Sequence, residues 1–230
     1  MKIKSIFVFA SAVIFSANIF AQTAANKSLT FSYEAGYVNQ LRSGKDLAKL
    51  NNIQGLRMGA LVKYSFTNHV FGQTGLLYEY LHYKTVQQYP SAANYRQSTS
   101  ANQLNLPVLA GYQLPLFSGV KFFAYGGPTL RFGISENLMT ATTLPSDSTA
   151  RANLVALLTE QGLYRADGFT DMYGDKQLAR FSVLLTLGGG FEWKKFYLKS
   201  GYDFGLTNIN AADKKRMTQN GWFISLGYNF

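Results

Sequence analysis

The chain has no cysteine, so neither a disulfide framework nor a lipid-modified cysteine is available to it. Only two histidines are present, His69 and His82, and without a thiol partner they are a poor basis for a transition-metal site. No apolar stretch reaches the ~20 residues of a membrane-spanning helix. Gly126-Gly127 and Gly188 to Gly190 neither open a helix nor carry the following Lys-Ser/Thr of a phosphate loop. Repeats, low-complexity tracts and domain linkers are also missing. Acidic residues are scarce, 12 against 22 Lys and Arg, for a formal net charge of +10. The bases are scattered, with Lys214-Lys215-Arg216 the one cluster, which disfavours nucleic acid as a partner and favours anionic lipid head groups.

What is present begins with Lys2 and Lys4, an apolar run from Ile6 to Phe20 and a cleavage position after Ala21. Residues 1–21 read as a secretory signal peptide, leaving 22–230 as a single domain with a formal charge of +8. At the other end, Trp222, Ile224, Leu226, Tyr228 and Phe230 alternate with smaller or polar residues, apart from Phe223. One face of such a strand meets lipid and the other a lumen. The terminal Phe resembles the ending of outer-membrane barrels, and Trp222, Leu226, Tyr228 and Phe230 are the expected signal to the barrel-assembly machinery. Aromatics are plentiful, 15 Tyr and 18 Phe, in keeping with rings at both membrane interfaces.

Period-two alternation marks eight segments, near 29–40, 55–66, 70–83, 103–114, 120–134, 180–193, 196–207 and 222–230, each long enough to cross a bilayer when tilted. Pro107 points to a bulge, because proline lacks a ladder donor, and the glycine runs point to bends. Connections alternate in length: 41–54, 84–102, 135–179 and 208–219 are long, whereas 67–69, 115–119 and 194–195 are short. The expected fold is all-β, an eight-stranded antiparallel up-and-down transmembrane β-barrel with short periplasmic turns and long extracellular loops.

Eight strands enclose an interior that side chains just fill. The inward set contains Arg57, Lys63, Glu79, Lys121, Arg131, Arg180, Glu192, Lys199 and Asp203, whose mutual pairing would plug the lumen as a salt-bridge network. Its excess of bases would bias any leak toward anions. The 135–179 loop is the expected surface for a protein partner. Within it, 152–163 has helical spacing, with Leu154, Leu157, Leu158 and Gln161 recurring. Asp167, Asp171 and Asp175 lack the ligand spacing of a calcium loop and read as a solvated acidic loop. His82 lies near the extracellular rim and His69 in a periplasmic turn, and neither belongs to a catalytic motif.

Two segments carry a family resemblance. Leu104-Asn105-Leu106-Pro107-Val108-Leu109-Ala110-Gly111-Tyr112 and Phe122-Phe123-Ala124-Tyr125-Gly126-Gly127-Pro128 are similar to the "ψψPψLψxY" and "ψYxxGGP" strands of PorT-like outer-membrane barrels of Bacteroidota, where ψ is a bulky apolar residue. The resemblance implies an outer-membrane barrel of this size and, for the namesake, a role in type IX secretion. It brings no catalytic residue. The resulting expectation is a monomeric, non-enzymatic barrel without catalytic, metal or cofactor site, structural or binding through its extracellular loops. The alternatives are a secretion-associated barrel, a narrow anion-biased channel and a lipid-active enzyme acting through His82.

Overall fold

The structure, a computed structural model, describes residues 29–44, 52–88, 94–117, 119–143, 147–160, 168–212 and 216–230. The signal-peptide segment lies outside the described residues. Among the described residues the strands are β1 (Leu29–Gly44), β2 (Ile53–Ser65), β3 (Val70–Gln88), β4 (Asn94–Phe117), β5 (Val120–Thr143), β6 (Gly168–Asp171), β7 (Phe181–Trp193), β8 (Phe196–Gly205) and β9 (Met217–Asn229), with one helix, α1 (Ser148–Glu160). Eight of them pair antiparallel in the order β4-β3-β2-β1-β9-β8-β7-β5, and β4 pairs with β5 to close the ring. The β1–β9 seam is zipped from Ser32↔Asn229 to Gly44↔Met217, so the barrel has no open edge there. β6 stands outside the ring and pairs only with the upper part of β5.

Alternation explains the orientation. On β9, Trp222, Ile224 and Leu226 face out while Phe223 and Ser225 are almost wholly enclosed. The same pattern around the ring leaves Leu56, Leu76, Val108, Leu130, Leu187 and Leu198 on the outside, an apolar band that water would penalise and lipid accepts. Rings pack beside one another at its lower margin, with Tyr33–Phe230, Tyr64–Phe66 and Phe196–Tyr228 centroids 5.3, 5.1 and 5.1 Å apart. The periplasmic turns are tight. Gly119, at φ 77°, and Lys194, at φ 55°, take the left-handed conformation that reverses the chain between β4 and β5 and between β7 and β8.

Three sequence expectations are corrected. Pro107 is not bulged: it stays in register opposite Thr129, and the ladder to β3 lapses between Thr74↔Val108 and Leu77↔Asn105 without a shift. The missing proline N–H thus costs bonds but no residue. Bulges lie elsewhere, at Asn102/Gln103 and Pro115/Phe117. Second, the triple glycine of β7 makes room for rings: a Cβ on Gly188 would fall 2.5 Å from the Tyr125 hydroxyl, and one on Gly190 2.8 Å from Phe123 Cζ. Third, much of the expected loops 84–102 and 135–179 is strand. β3, β4 and β5 continue as a sheet beyond the ring, from Tyr83↔Thr99 to Gln88↔Asn94 and from Asn102↔Ser135 to Asn94↔Thr143. Their outward residues there are mostly polar, Met139 excepted, so the hydrophobic alternation that marks a strand in sequence is broken up. α1 starts four residues earlier than the expected helix, capped by Asp147, whose carboxylate accepts the Ala150 N–H at 3.1 Å.

Candidate functional site: the charged lumen

Inward positions of β1, β2, β3, β5 and β8 meet on the barrel axis. Arg57 projects from β2 between three carboxylates, 3.8 Å from Glu34, 3.8 Å from Glu79 and 3.7 Å from Asp203. Its guanidinium also lies 3.9 Å above the centroid of the Phe223 ring, which accounts for a large apolar residue at mid-height on the inner face of β9. Arg131 approaches Glu79 at 3.5 Å and Asp203 at 3.7 Å, and its Nε donates to Asn105 at 2.8 Å. Lys199 reaches Glu34 at 2.5 Å. All six charged groups are buried.

Neutral side chains each bond one oxygen of these carboxylates. Gln40 donates to Glu79 at 2.7 Å, Tyr197 to Glu34 at 3.1 Å and Thr186 to Asp203 at 2.6 Å. Three formal positive and three formal negative charges therefore cancel at the middle of the lumen. Such pairing is required, because a buried charge without a partner costs several kcal/mol, of order 3–5.

A second cluster sits toward the periplasm. Lys63 and Lys121 share Glu192, at 2.8 and 3.2 Å, leaving one formal positive charge. Around them Phe71, Phe123, Tyr125 and Tyr197 fill the lumen, with Phe123–Tyr125 and Phe123–Tyr197 centroids 6.1 and 6.4 Å apart.

The extracellular mouth is closed by a third group. Arg42, near the end of β1, forms two bonds to Glu136 of β5, 2.7 and 2.6 Å long. β1 and β5 lie on opposite sides of the ring, so this bidentate pair crosses the opening. Burial works against the charged Arg42, but the Glu136 carboxylate outweighs it and holds the guanidinium above its ordinary range. Beside the pair, Tyr173, Leu178, Ile209 and Met217 form a small apolar core. Backbone bonds from Met172 to Glu136 and from Ala179 to Ile209, each 2.9 Å, hold it in place. Burial pushes the Tyr173 hydroxyl up to about 12. Of the cavities that remain, one beneath this cap holds about 10 Å³ and one on the periplasmic side about 20 Å³. Spaces of that size hold a water molecule or so.

Eight of the nine charges singled out in the sequence fall into the middle or lower clusters. Arg180 does not: it is exposed at the rim, donates to the Ile134 carbonyl at 3.0 Å and lies 5.1 Å over the Tyr173 ring. Ile134 is the extra residue between Gln103↔Gly133 and Asn102↔Ser135, so Arg180 holds the bulge. The bulge also reverses the parity of β5, turning Glu136 inward. Glu34, Arg42 and Glu136 are missing from the sequence-derived charge set. Glu34 was legible, since it alternates inward on β1, whereas Glu136 depends on the bulge. Trp222, Leu226 and Phe230 are exposed on the outer face, and Tyr228 is partly exposed there.

The histidines lie elsewhere. His69 Nδ1 is 3.1 Å from the Gln113 carbonyl at the periplasmic turn, and His82 Nδ1 is 3.1 Å from Ser100 Oγ on the outer face. Asp171 accepts the Tyr173 N–H at 3.0 Å as a turn former, while Asp167 lies outside the described residues.

Residues 20–211 match the family described as outer membrane protein beta-barrel domain. The chain belongs to that family. It is therefore a protein of the Gram-negative outer membrane, and the apolar band faces lipid. Among solved structures it is similar to the attachment invasion locus protein Ail of Yersinia pestis, at 11% identity and TM-score 0.38, covering 89% of this chain and 100% of that one. It is likewise similar to OprG of Pseudomonas aeruginosa, at 11% and 0.38, over 89% and 97%. The translocator domain of the autotransporter NalP from Neisseria meningitidis aligns at 7% and 0.41, over 99% and 98%. No curated protein matches the chain.

Proposed function

We propose that this outer-membrane barrel is a closed, monomeric, non-enzymatic protein that acts as a structural or binding element through its extracellular portion. The observation that carries this reading is the lumen: three charge clusters, an aromatic layer and an apolar cap occupy the path from mouth to turns. The neutral middle also argues against anion bias, because the uncompensated positive charge lies only at the periplasmic end. Planar-bilayer conductance of the refolded mature protein tests the proposal, with heat-modifiable gel mobility reporting barrel formation. A folded, silent barrel is expected; discrete conductance overturns the reading in favour of a channel.

Against a lipid-active enzyme stands the setting of His82 and Ser100. Both lie on paired strands, where backbone N–H groups belong to ladders and are not free to form an oxyanion hole. Ser100→Ala is expected to leave the phospholipid and lipid A profile of the host unchanged; a changed profile would restore the enzyme.

The finer family membership we infer is with PorT-like barrels. Its two motif segments are neighbours in the ring, joined through Ala110↔Gly126 and Tyr112↔Ala124. Loss of type IX cargo secretion on deletion would favour the secretion-associated reading over a stand-alone binding protein. A protein partner at 135–179 is supported by Leu157, which is exposed on α1.

A further inference from the structure

β3, β4 and β5 carry one outward face through two environments. Within the band that face shows Leu76 and Tyr80 on β3, Leu106 and Val108 on β4, and Phe132 and Ile134 on β5. Above it, the β3–β4 ladder continues without a break, and the face of those two strands becomes His82 and Lys84 on β3 and Arg96, Ser98 and Ser100 on β4, with the exposed Met139 of β5 opposite Ser98. The inward residues at this level, Leu81, Thr99 and Ala101, are buried, so the alternation is intact and the bases are on the outside. Lys84 stands opposite Ser98, and Arg96 is the next outward residue of β4. That diagonal relation brings side-chain origins within about 7–8 Å.

Both bases are exposed, and neither forms an ion pair with a carboxylate among the described residues. Lys84 is four residues above Tyr80, about 14 Å along the strand, or about 10 Å along the barrel axis once tilt is counted. Long basic stems lean back over such a distance. The charged end of Lys84 therefore falls in the head-group layer directly above the lipid-facing ring of Tyr80, and Arg96, opposite Val86, starts about 5 Å higher along the axis.

We propose that this face, centred on Lys84 and Arg96 with Ser98 beside them and Ser100 one outward step below, binds the phosphate groups of the outer-leaflet lipopolysaccharide. Two fixed positive charges and a pair of hydroxyl donors match a phosphorylated sugar, and the apolar band beneath holds the acyl chains of the same molecule. This goes beyond the proposed function and does not depend on lumen closure.

The test uses the full mature chain refolded in nanodiscs, with purified lipopolysaccharide and the same material stripped of phosphate as probes. Replacing Lys84 and Arg96 together with Gln is expected to weaken binding about 25-fold, about fivefold for each charge. Dephosphorylated lipopolysaccharide should bind the wild type as weakly as it binds the double variant. Lys84→Arg with Arg96→Lys should restore binding, and Arg151→Gln, an exposed base on α1, should leave it unchanged. Excess inorganic phosphate should compete poorly, since it lacks the acyl anchor; full competition would assign the face to free phosphate and overturn the lipid assignment. Equal binding by wild type and double variant, or an equal loss in Arg151→Gln, overturns the proposal, with heat-modifiable mobility confirming that each variant is folded. Conductance of the wild type would sink closure and leave this result untouched.

Discussion

Arg42 and Arg57 are both buried arginines, but they are held in different ways. At the mouth, Arg42 has one partner and two short hydrogen bonds to it. On the axis, Arg57 has three carboxylates, none nearer than 3.7 Å, and a ring beneath it. The first arrangement is directional and fails if its single partner is lost. The second spreads one charge over several acids, each also bonded at one oxygen by a neighbour, Gln40, Tyr197 or Thr186. The mouth is latched by a bond, and the centre is balanced by a field.

The largest effect is expected from Arg57→Ala, which leaves three carboxylates, Glu34, Glu79 and Asp203, to two bases, Arg131 and Lys199, around a void. Urea unfolding in lipid vesicles should show a loss of about 4 kcal/mol, with Arg57→Lys recovering part of it if the alanine variant does not fold. Next comes Glu136→Gln, which strands Arg42 and should cost about 3 kcal/mol. Replacing both, Arg42→Met with Glu136→Leu, should return stability to within about 1 kcal/mol of wild type, since an ion pair and a well-packed apolar pair are near equivalents. Glu79→Gln should cost less than Glu136→Gln, about 1–2 kcal/mol, because Arg57 and Arg131 keep Asp203 and Arg57 keeps Glu34. A larger loss for Glu79→Gln than for Glu136→Gln would break the distinction between the two arginines.

The smallest effect concerns pH at the mouth. Tyr173 titrates near 10.0 when unfolded and about 12 when folded. The folded state therefore holds its proton longer, so the stabilisation is complete below pH 10 and is lost as pH rises toward 12. By pH 11 the loss attributable to this group should be about 1 kcal/mol. Tyr173→Phe should remove that component of an alkaline stability profile and leave the neutral region nearly unchanged.

The barrel was legible where chemistry alternates with solvent. Leu104 to Leu114 and Trp222 to Phe230 announce both their strands and their faces, because lipid on one side and lumen on the other impose period two on hydrophobicity. The same strands above the membrane were not legible. From Arg96 to Asn102 both faces are polar or small, so water outside gives no contrast for the alternation to show. Arg42 and Glu136 were hidden for a related reason. Each lies past the point where the apolar pattern stops, and Glu136 also lies past a bulge that reverses which residues face inward. Pairings such as Lys63 with Glu192 join β2 to β7 across the lumen, and no local pattern encodes the stagger that brings them level. Arg180 fails in the opposite sense: its parity is inward, but at the end of the strand it folds back to the carbonyl of Ile134.

The cancellation of charge around Arg57 has a bearing on voltage. Gram-negative cells maintain a Donnan potential across the outer membrane, and a charge moved through it gains energy in proportion to its valence. Glu34, Glu79, Asp203, Arg57, Arg131 and Lys199 together carry no net formal charge. Displacing them as a unit therefore does no electrical work to first order. The central plug has no gating valence, and the potential that fluctuates with the ionic strength of the surroundings leaves it where it is.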